Sequence, residues 1–430
     1  MSWLFLFVAL VGAWFTYNAY RPLYTGMRRA AISFFSGWLT TELALHHIAW
    51  QAVMTLVFIR AGALHGWPGR LGLFITFVSW IGLWRCYARG RAAEVVVDQA
   101  LRTGLGPDYH EKIVPEVQVQ LAPSVDWRQI LMPFPMRHPE VERIRDITFA
   151  RTAGINLKLD VYRPRTGLTA CPTLLQIHGG GWVIGSKNEQ GIPLMLQLAS
   201  RGWVCVSANY RLSPHATFPD HLIDCKRALQ WIREHGAEYG ANPDFVVVTG
   251  GSAGGHLAAL MALTANDRDL QPGFEAVDTS LRGCVAFYGV YDFTDRFGQQ
   301  HHRGLAELLE KRVMKSALDE AREAYEKASP MSRVHPEAPP FFVIHGDQDT
   351  LVPVREAREF AALLRQHTRN PVVYAEIPGA QHAFEIFPSL RTTFVIHGVE
   401  RFLAYIYSQY VTQQRTAAAQ VAAPQVMAAG

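Results

Sequence analysis

Phe245-Val246-Val247-Val248-Thr249-Gly250-Gly251-Ser252-Ala253-Gly254, followed by Gly255-His256-Leu257-Ala258-Ala259-Leu260-Met261-Ala262-Leu263, decides how this chain folds. Its first five residues are apolar or β-branched, the pattern of a buried strand. Its last nine are rich in helix formers. Between them, residues 250–254 read G-x-S-x-G. A serine on a sharp strand-to-helix turn is thrust into a cleft, and the flanking glycines tolerate the strained backbone and leave room for a neighbouring segment. The bland alternative is a Gly-rich turn with a helix-capping serine. The two readings separate on whether the other working parts exist in the right order.

Upstream, Thr173-Leu174-Leu175-Gln176-Ile177 reads as a strand running into His178-Gly179-Gly180-Gly181-Trp182. Consecutive glycines let backbone amides turn inward with no Cβ in the way. Inward amides after a strand, upstream of the serine, form the other half of an oxyanion hole, often the largest catalytic term in acyl transfer. Downstream, residues 340–345 read as a late strand delivering Gly346-Asp347-Gln348-Asp349-Thr350-Leu351-Val352-Pro353. Asp349 lies deeper in that loop and is the expected acid; Asp347 is expected to be a turn residue bonding its own backbone. After the last strand candidate, residues 372–377, His382 stands on a loop where the base must come from. His46, His47, His301, His302 and His397 lack comparable placement and are expected to be structural or on the surface. No H-E-x-x-H or C-x-x-C spacing is present, so neither a metal nor another cofactor is expected.

Roles follow from chemistry. Ser252 attacks a carbonyl carbon, and His382 takes the proton and returns it to the leaving group. Asp349 orients the imidazole, and the amides of Gly180, Gly181 and Ala253 hold the oxyanion. His178, Gly179, Trp182, Gly250 and Gly254 support these turns. The expected reaction is ester hydrolysis through an acyl-enzyme. The same site could cleave an amide or formamide if His382 protonates the amine. A non-catalytic binding protein on this fold would commonly lack the serine or histidine, and both are here.

HGGGW at 178–182, YRLSP at 210–214, GGSAGG at 250–255, the Asp349 loop and His382 together resemble the hormone-sensitive-lipase family of bacterial carboxylesterases over residues 141–411. The sequence looks closest to the membrane-linked actinobacterial members. The resemblance implies a metal-independent serine esterase or lipase acting on acyl esters of short to medium chain length, with a cap over its site. Residues 292–339, helical by pattern, are the expected downstream part of that cap. Two positions depart from the family pattern. Gly251 stands where an acidic residue usually precedes the nucleophile, and His215 follows Pro214 where Glu is usual.

A chain of 430 residues accommodates one α/β domain and an extra region. Net charge is +4 with no basic block, which gives no reason to expect nucleic acid binding. The 5 cysteines show no paired spacing and read as small buried thiols. Strand and helix candidates alternate from residue 141 onward: strands at 144–149 and 157–162 joined by a turn at 153 and 154, then 202–208, a helix at 222–235, and a strand at 281–288. Such alternation gives a mostly parallel sheet with helices on both faces, the α/β-hydrolase fold, with catalytic loops at the carboxyl ends of the strands.

Residues 1–91 differ in character. Apolar stretches cover 3–20, about 37–59 and 71–87, and about 20 apolar residues cross a bilayer. The first and third qualify as transmembrane helices. The second is interrupted by Glu42, His46, His47 and Gln51, with Glu42 and His46 expected on one helical face. No positive start and no A-x-A-like site marks the first as a cleaved signal. With three crossings, Arg21, Arg28, Arg29, Arg85, Arg89 and Arg91 fall on the same side as the catalytic domain. The positive-inside rule then gives a multi-pass membrane protein with a cytoplasmic catalytic domain; if the second stretch does not cross, the first loop and that domain fall on opposite sides and the rule discriminates little. The expected substrate is a lipid-like ester. Residues 92–140 are expected to form a stalk or part of the cap. The Ala/Gln-rich tail, 412–430, is expected to be disordered.

Overall fold

The architecture was read from a computed structural model that describes residues 1–121, 125–134, 136–152, 154–300 and 303–422, with the side chains of 421 and 422 left aside. Eight strands form one sheet in the order β1-β2-β4-β3-β5-β6-β7-β8. They are β1 (Val141–Thr152), β2 (Ile155–Pro164), β3 (Cys171–Ile177), β4 (Val204–Ala208), β5 (Ala241–Gly251), β6 (Gly283–Phe287), β7 (Phe341–Gly346) and β8 (Val372–Ile377). β1 pairs antiparallel with β2, and β2 antiparallel with β4; every later pairing is parallel. Of the turn expected at 153 and 154, Gly154 adopts φ +75° and residue 153 lies outside the described residues.

Successive strand residues serve opposite faces because the side-chain period is two. Leu175, Ile177, Val246 and Val248 enter one core, and Leu174, Phe245, Val247, Phe342 and Ile344 enter the other. α7 (Asp220–His235), α8 (Ala253–Leu263) and α9 (Val354–His367) cover the first face. α5 (Ala92–Leu105), α6 (Ile192–Ser200) and α10 (Leu390–Ala422) cover the second. α8 is buried along its whole length, so it is apolar all round rather than striped.

Three parts differ from the sequence expectation. Residues 92–105 are no stalk. They form α5, whose Ala93, Val97 and Leu101 are fully buried against Val373 and Phe402, because its apolar stripe is matched to the open face beside β8. Among their described residues, 292–339 hold only short helical turns (Gly304–Leu308, Leu309–Val313, Arg322–Lys327 and Pro330–Arg333), tied to the first core by Leu309, Val313, Tyr325 and Met331. Residues 412–422 continue α10, where Ala and Gln favour helix and Arg415 pairs with Glu116. The rest of the tail lies outside the described residues, as do His301, His302 and Pro135.

The amino-terminal region comprises α1 (Ser2–Asn18), α2 (Met27–Glu42), α3 (Ala44–Arg60) and α4 (Trp67–Arg89). Trp3 meets Trp67 and Thr16 meets Ser79, so α1 and α4 run parallel; Phe5 stacks on Phe58, so α3 runs back between them. The apolar stretch over 37–59 is not one helix. α2 and α3 meet at a bend of 91°, which takes Glu42 and His46 off any shared face. Among the described residues, one helical run, Trp67–Leu105 (α4 continued by α5), is by length and composition able to cross a membrane, and the bent pair could form a second, broken span. α1, at 17 residues, is apolar but shorter.

Because α5 is part of the core, Leu101→Ala should cost about 2–5 kcal/mol, as large-to-small core changes do. Denaturant unfolding of the whole protein measures it; a loss under about 0.5 kcal/mol would mean that this helix is not part of the folded core.

Candidate active site

β5 ends at Gly251 and α8 starts at Ala253, so Ser252 alone makes the turn, at φ 59° and ψ −124°. This is a left-handed conformation that a non-glycine residue adopts only when its surroundings hold it. Ser252 N–H donates to the Phe287 carbonyl at 3.0 Å, and its own carbonyl accepts from His256 N–H at 3.0 Å. The flanking glycines answer a shortage of space. A Cβ on Gly250 would stand 2.6 Å from the Ile177 oxygen, and one on Gly254 would run into the Ile177 and His178 carbonyls. A Cβ on Gly179 would meet the Gly251 oxygen at 2.5 Å. The serine turn and the glycine loop after β3 therefore touch backbone to backbone.

That glycine loop curls at Gly180 (φ +111°), Gly181 (φ +59°) and Trp182 (φ +61°). Its carbonyls are used: Gly180 accepts from both Val183 and Ile184. Among the described residues the amides of Gly180 and Gly181 make no hydrogen bond. Ala253 N–H is at the first position of α8, where no intrahelical acceptor exists. His178 Nδ1 lies 2.7 Å from the Gly179 oxygen and its ring stacks on Tyr210, whose hydroxyl donates to the His178 carbonyl. Burial pushes the His178 imidazole down to about 4, so it stays neutral. Trp182 donates from Nε1 to His256 Nδ1 at 3.2 Å, and His256 Nε2 lies 2.8 Å from the Ala328 oxygen. Burial holds His256 near 3, which keeps it in the neutral tautomer this chain of bonds requires.

Asp349 and His382 come from the loops after β7 and β8. Asp349 Oδ2 is 2.6 Å from His382 Nδ1, while Oδ1 accepts from the amides of Leu351 and Val352 at 2.8 and 2.9 Å. His345, the penultimate residue of β7, brings Nε2 to 3.1 Å from Asp349 Oδ2. Burial alone would raise this carboxyl; the charges of and hydrogen bonds from His382 and His345 outweigh it and hold Asp349 below the ordinary carboxylate range. Asp347 instead accepts from Gly379 N–H at 2.7 Å, bonding the neighbouring loop rather than its own turn, and burial raises it. Ser252 Oγ has no hydrogen-bond partner among the described residues. Catalytic bonds are often long in a free enzyme and tighten on substrate. What joins the two centres here is the turn after β6: Phe287 holds Ser252, and the Tyr288 ring lies 4.5 Å from that of His382.

Several site residues escaped the sequence reading. Gln190 Oε1 accepts from Gly179 N–H at 2.6 Å. Gln381 Oε1 accepts from Thr350 and His382 amides at 2.7 and 2.9 Å, stitching the acid loop to the base loop. α2 docks on the same loops. Phe34 meets the His382 ring edge-on at 6.1 Å, Trp38 Nε1 donates to the Ala383 carbonyl, and Thr350 donates to the Ala30 carbonyl. Glu42, at the end of α2, pairs with Ser389 and with buried Arg391. His345 had a local signal, standing four residues before Asp349. The α2 contacts had none. Among the described residues no group of three or more His, Cys, Asp or Glu is arranged to hold a metal.

Comparison with known proteins places the chain among ester hydrolases. The chain is 42% identical over 422 residues to a probable carboxylic ester hydrolase, LipM, of Mycobacterium tuberculosis, covering 94% of this chain and 93% of the relative. The chain belongs to the hormone-sensitive-lipase family of α/β-hydrolase esterases. As a family member it is a carboxylic ester hydrolase. Esterase LipQ of the same organism is 37% identical, with 88% of this chain and 86% of the relative covered. The BD-FAE family matches residues 159–364. Among solved structures, a thermophilic esterase of Thermogutta terrifontis with butyrate bound superposes at TM-score 0.52 and 25% identity, over 64% of this chain and 95% of that one.

The depressed Asp349 value has a thermodynamic consequence. Its stabilising contribution is complete above the ordinary aspartate value of about 3.9 and is lost as pH falls through the lower folded value. The stability gap between wild type and Asp349→Asn should therefore be largest near neutrality and shrink below about pH 4. Denaturation midpoints taken from pH 7 down to 2.5 test this; a gap that does not change with pH would contradict it.

Proposed function

We propose that this esterase works through Ser252, His382 and Asp349, with the amides of Gly180, Gly181 and Ala253 holding the oxyanion. The observation that carries the reading is the bond between Asp349 Oδ2 and His382 Nδ1, buried beside the turn that holds Ser252. With Nδ1–H committed to Asp349, His382 turns a basic Nε2 outward. It removes the Ser252 proton as Oγ attacks the ester carbon. The resulting oxyanion meets unpaired glycine-loop amides and the first amide of α8, which need no rearrangement to receive it. His382 then protonates the leaving alcohol, and water reverses the sequence on the acyl-enzyme. Asp349 stays ionised and stabilises the imidazolium that forms twice per turnover.

The substrate we assign is a lipid-like ester reached at a membrane surface, with α1, α3 and α4 crossing and the catalytic domain on the cytoplasmic side. Support comes from the outward face of these helices, where Phe7 and Leu10, Leu56 and Val57, and Phe74 and Ile81 are all exposed. Trp3 and Trp67 sit together at one end as interfacial anchors. Arg21, Arg28, Arg29, Arg85, Arg89 and Arg91 gather at the other, where the catalytic domain attaches. α2 lies at that end, with Phe34 against the base and Ile32 and Phe35 exposed at 57% and 70%. An apolar helix surface beside the base suits a substrate whose acyl chain stays in lipid while its ester is cleaved.

Two experiments test these readings. With p-nitrophenyl butyrate, Ser252→Ala and Asp349→Asn should each lose at least about a thousandfold in kcat, in line with other triads, while Asp347→Asn stays within about fivefold. A serine variant with wild-type turnover refutes the nucleophile, and a slower Asp347 variant reassigns the acid. Separately, Ile32→Ser with Phe35→Ser should leave turnover of the soluble ester unchanged and slow hydrolysis of a long-chain ester in phosphatidylcholine vesicles about tenfold. Equal rates on vesicles would remove the lipid reading.

A further inference from the structure

The residue before the nucleophile is a glycine that the backbone itself does not require. Gly251 is not in the left-handed region, unlike Gly180 and Gly181. The reason is space: a Cβ there would stand 2.6 Å from the Tyr288 phenol oxygen and 2.9 Å from its ring carbons. Tyr288 thus fills the place of a side chain at 251. It is fully buried and sits at φ 36°, a conformation costly for a bulky residue, pinned by its N–H on the Ile344 carbonyl at 2.7 Å. Its hydroxyl donates to Glu385 Oε2, and its ring lies 4.5 Å from the His382 ring at an angle of 56°. Glu385 is buried too and follows His382 by three residues in the same loop. A strained, buried aromatic held by a buried carboxylate is unusual expense for a core position, and this one touches both halves of the reaction centre.

We infer that Tyr288 and Glu385 are positioning residues: Glu385 holds the phenol so that one ring packs against the peptide before Ser252 and against the imidazole of His382, setting the distance between nucleophile and base. The inference rests on the triad reading above. Neither residue touches the reacting atoms; both act through the two groups that do. Burial pushes the Glu385 carboxyl up to about 7, and the Glu42 charge adds to this while the Tyr288 bond opposes it. The other ionisable groups around the pair are Asp349, His382 and the Glu42–Arg391 pair brought by α2.

Steady-state kinetics on p-nitrophenyl butyrate, with melting temperatures for every variant, test the inference. Tyr288→Phe keeps the ring and loses its tether; kcat should fall about tenfold with KM within about twofold, since only the transition-state alignment changes. Glu385→Gln keeps an acceptor and should retain activity within about threefold, whereas Glu385→Ala should match Tyr288→Phe. Gly251→Ala displaces the same ring, so its loss and that of Tyr288→Phe should not multiply in the double variant. A Tyr288→Phe kcat within twofold of wild type, a loss carried by KM, or multiplying losses would each overturn the inference. If Glu385→Ala does not fold, Tyr288→Phe and Glu385→Gln still decide. Ser252→Ala in the same assay separates the two readings. Retained activity there ends the triad assignment, while an inactive serine variant beside an unimpaired Tyr288→Phe ends only the positioning role.

Discussion

Backbone-to-backbone contact between the serine turn and the loop after β3 is the constraint on which the rest depends. Neighbouring parallel strands hold their chains at a fixed spacing, and the loops at their ends normally keep apart by the width of a side chain. Here Gly179, Gly250 and Gly254 remove that width. The approach sets the glycine loop directly against the turn at which Ser252 leaves the sheet. Any Cβ at these positions would force the two backbones apart, so the serine turn and the glycine loop hold their places together.

Opposite this contact stands a second assembly, made of buried polar groups that satisfy one another. Asp349 is surrounded by two histidine nitrogens and two amides, which is why a fully buried carboxyl remains ionised. Gln381 ties the acid loop to the base loop through a single oxygen, so the two cannot drift separately. Between the two assemblies the chain places apolar and aromatic groups, Tyr288 among them. Geometry on this scale is set by packing, and packing tolerates little change before something must move.

The amino-terminal quarter takes part in this geometry. α5 completes one face of the sheet, and α4 leads into it with only Gly90 and Arg91 between. α2 leans on the base loop through Phe34, Trp38 and the buried Glu42–Arg391 pair. Removing either partner of that buried pair would strand the other charge, at a cost of about 3–5 kcal/mol. The helices beyond the sheet and the loops that carry Asp349 and His382 therefore form one continuous body, and the wall of the candidate site near His382 is built from both.

Much of this was legible in the linear order of residues. G-x-S-x-G between a β-branched run and an apolar run specifies a strand, a turn and a helix by local preference alone, and the glycine tract after residue 177 specifies curled backbone. Acid and base candidates follow because each sits at the end of a strand whose period is evident. Local rules reach only a few residues, however. They could not distinguish the destination of Asp347 from that of Asp349 except by position in a loop, and they let an apolar stretch over 37–59 pass for one helix although it bends by 91° where its polar residues meet the catalytic domain. Trp38 and Ala383 are 345 positions apart, and no periodicity links them. Gly251 ends β5 and Tyr288 follows β6, and only their common space explains why one is large and the other has no side chain. The sequence by itself determined the elements, their order and the chemistry they carry; the tertiary structure decided which distant side chains share a volume, because exclusion of one atom by another acts through space and not along the chain.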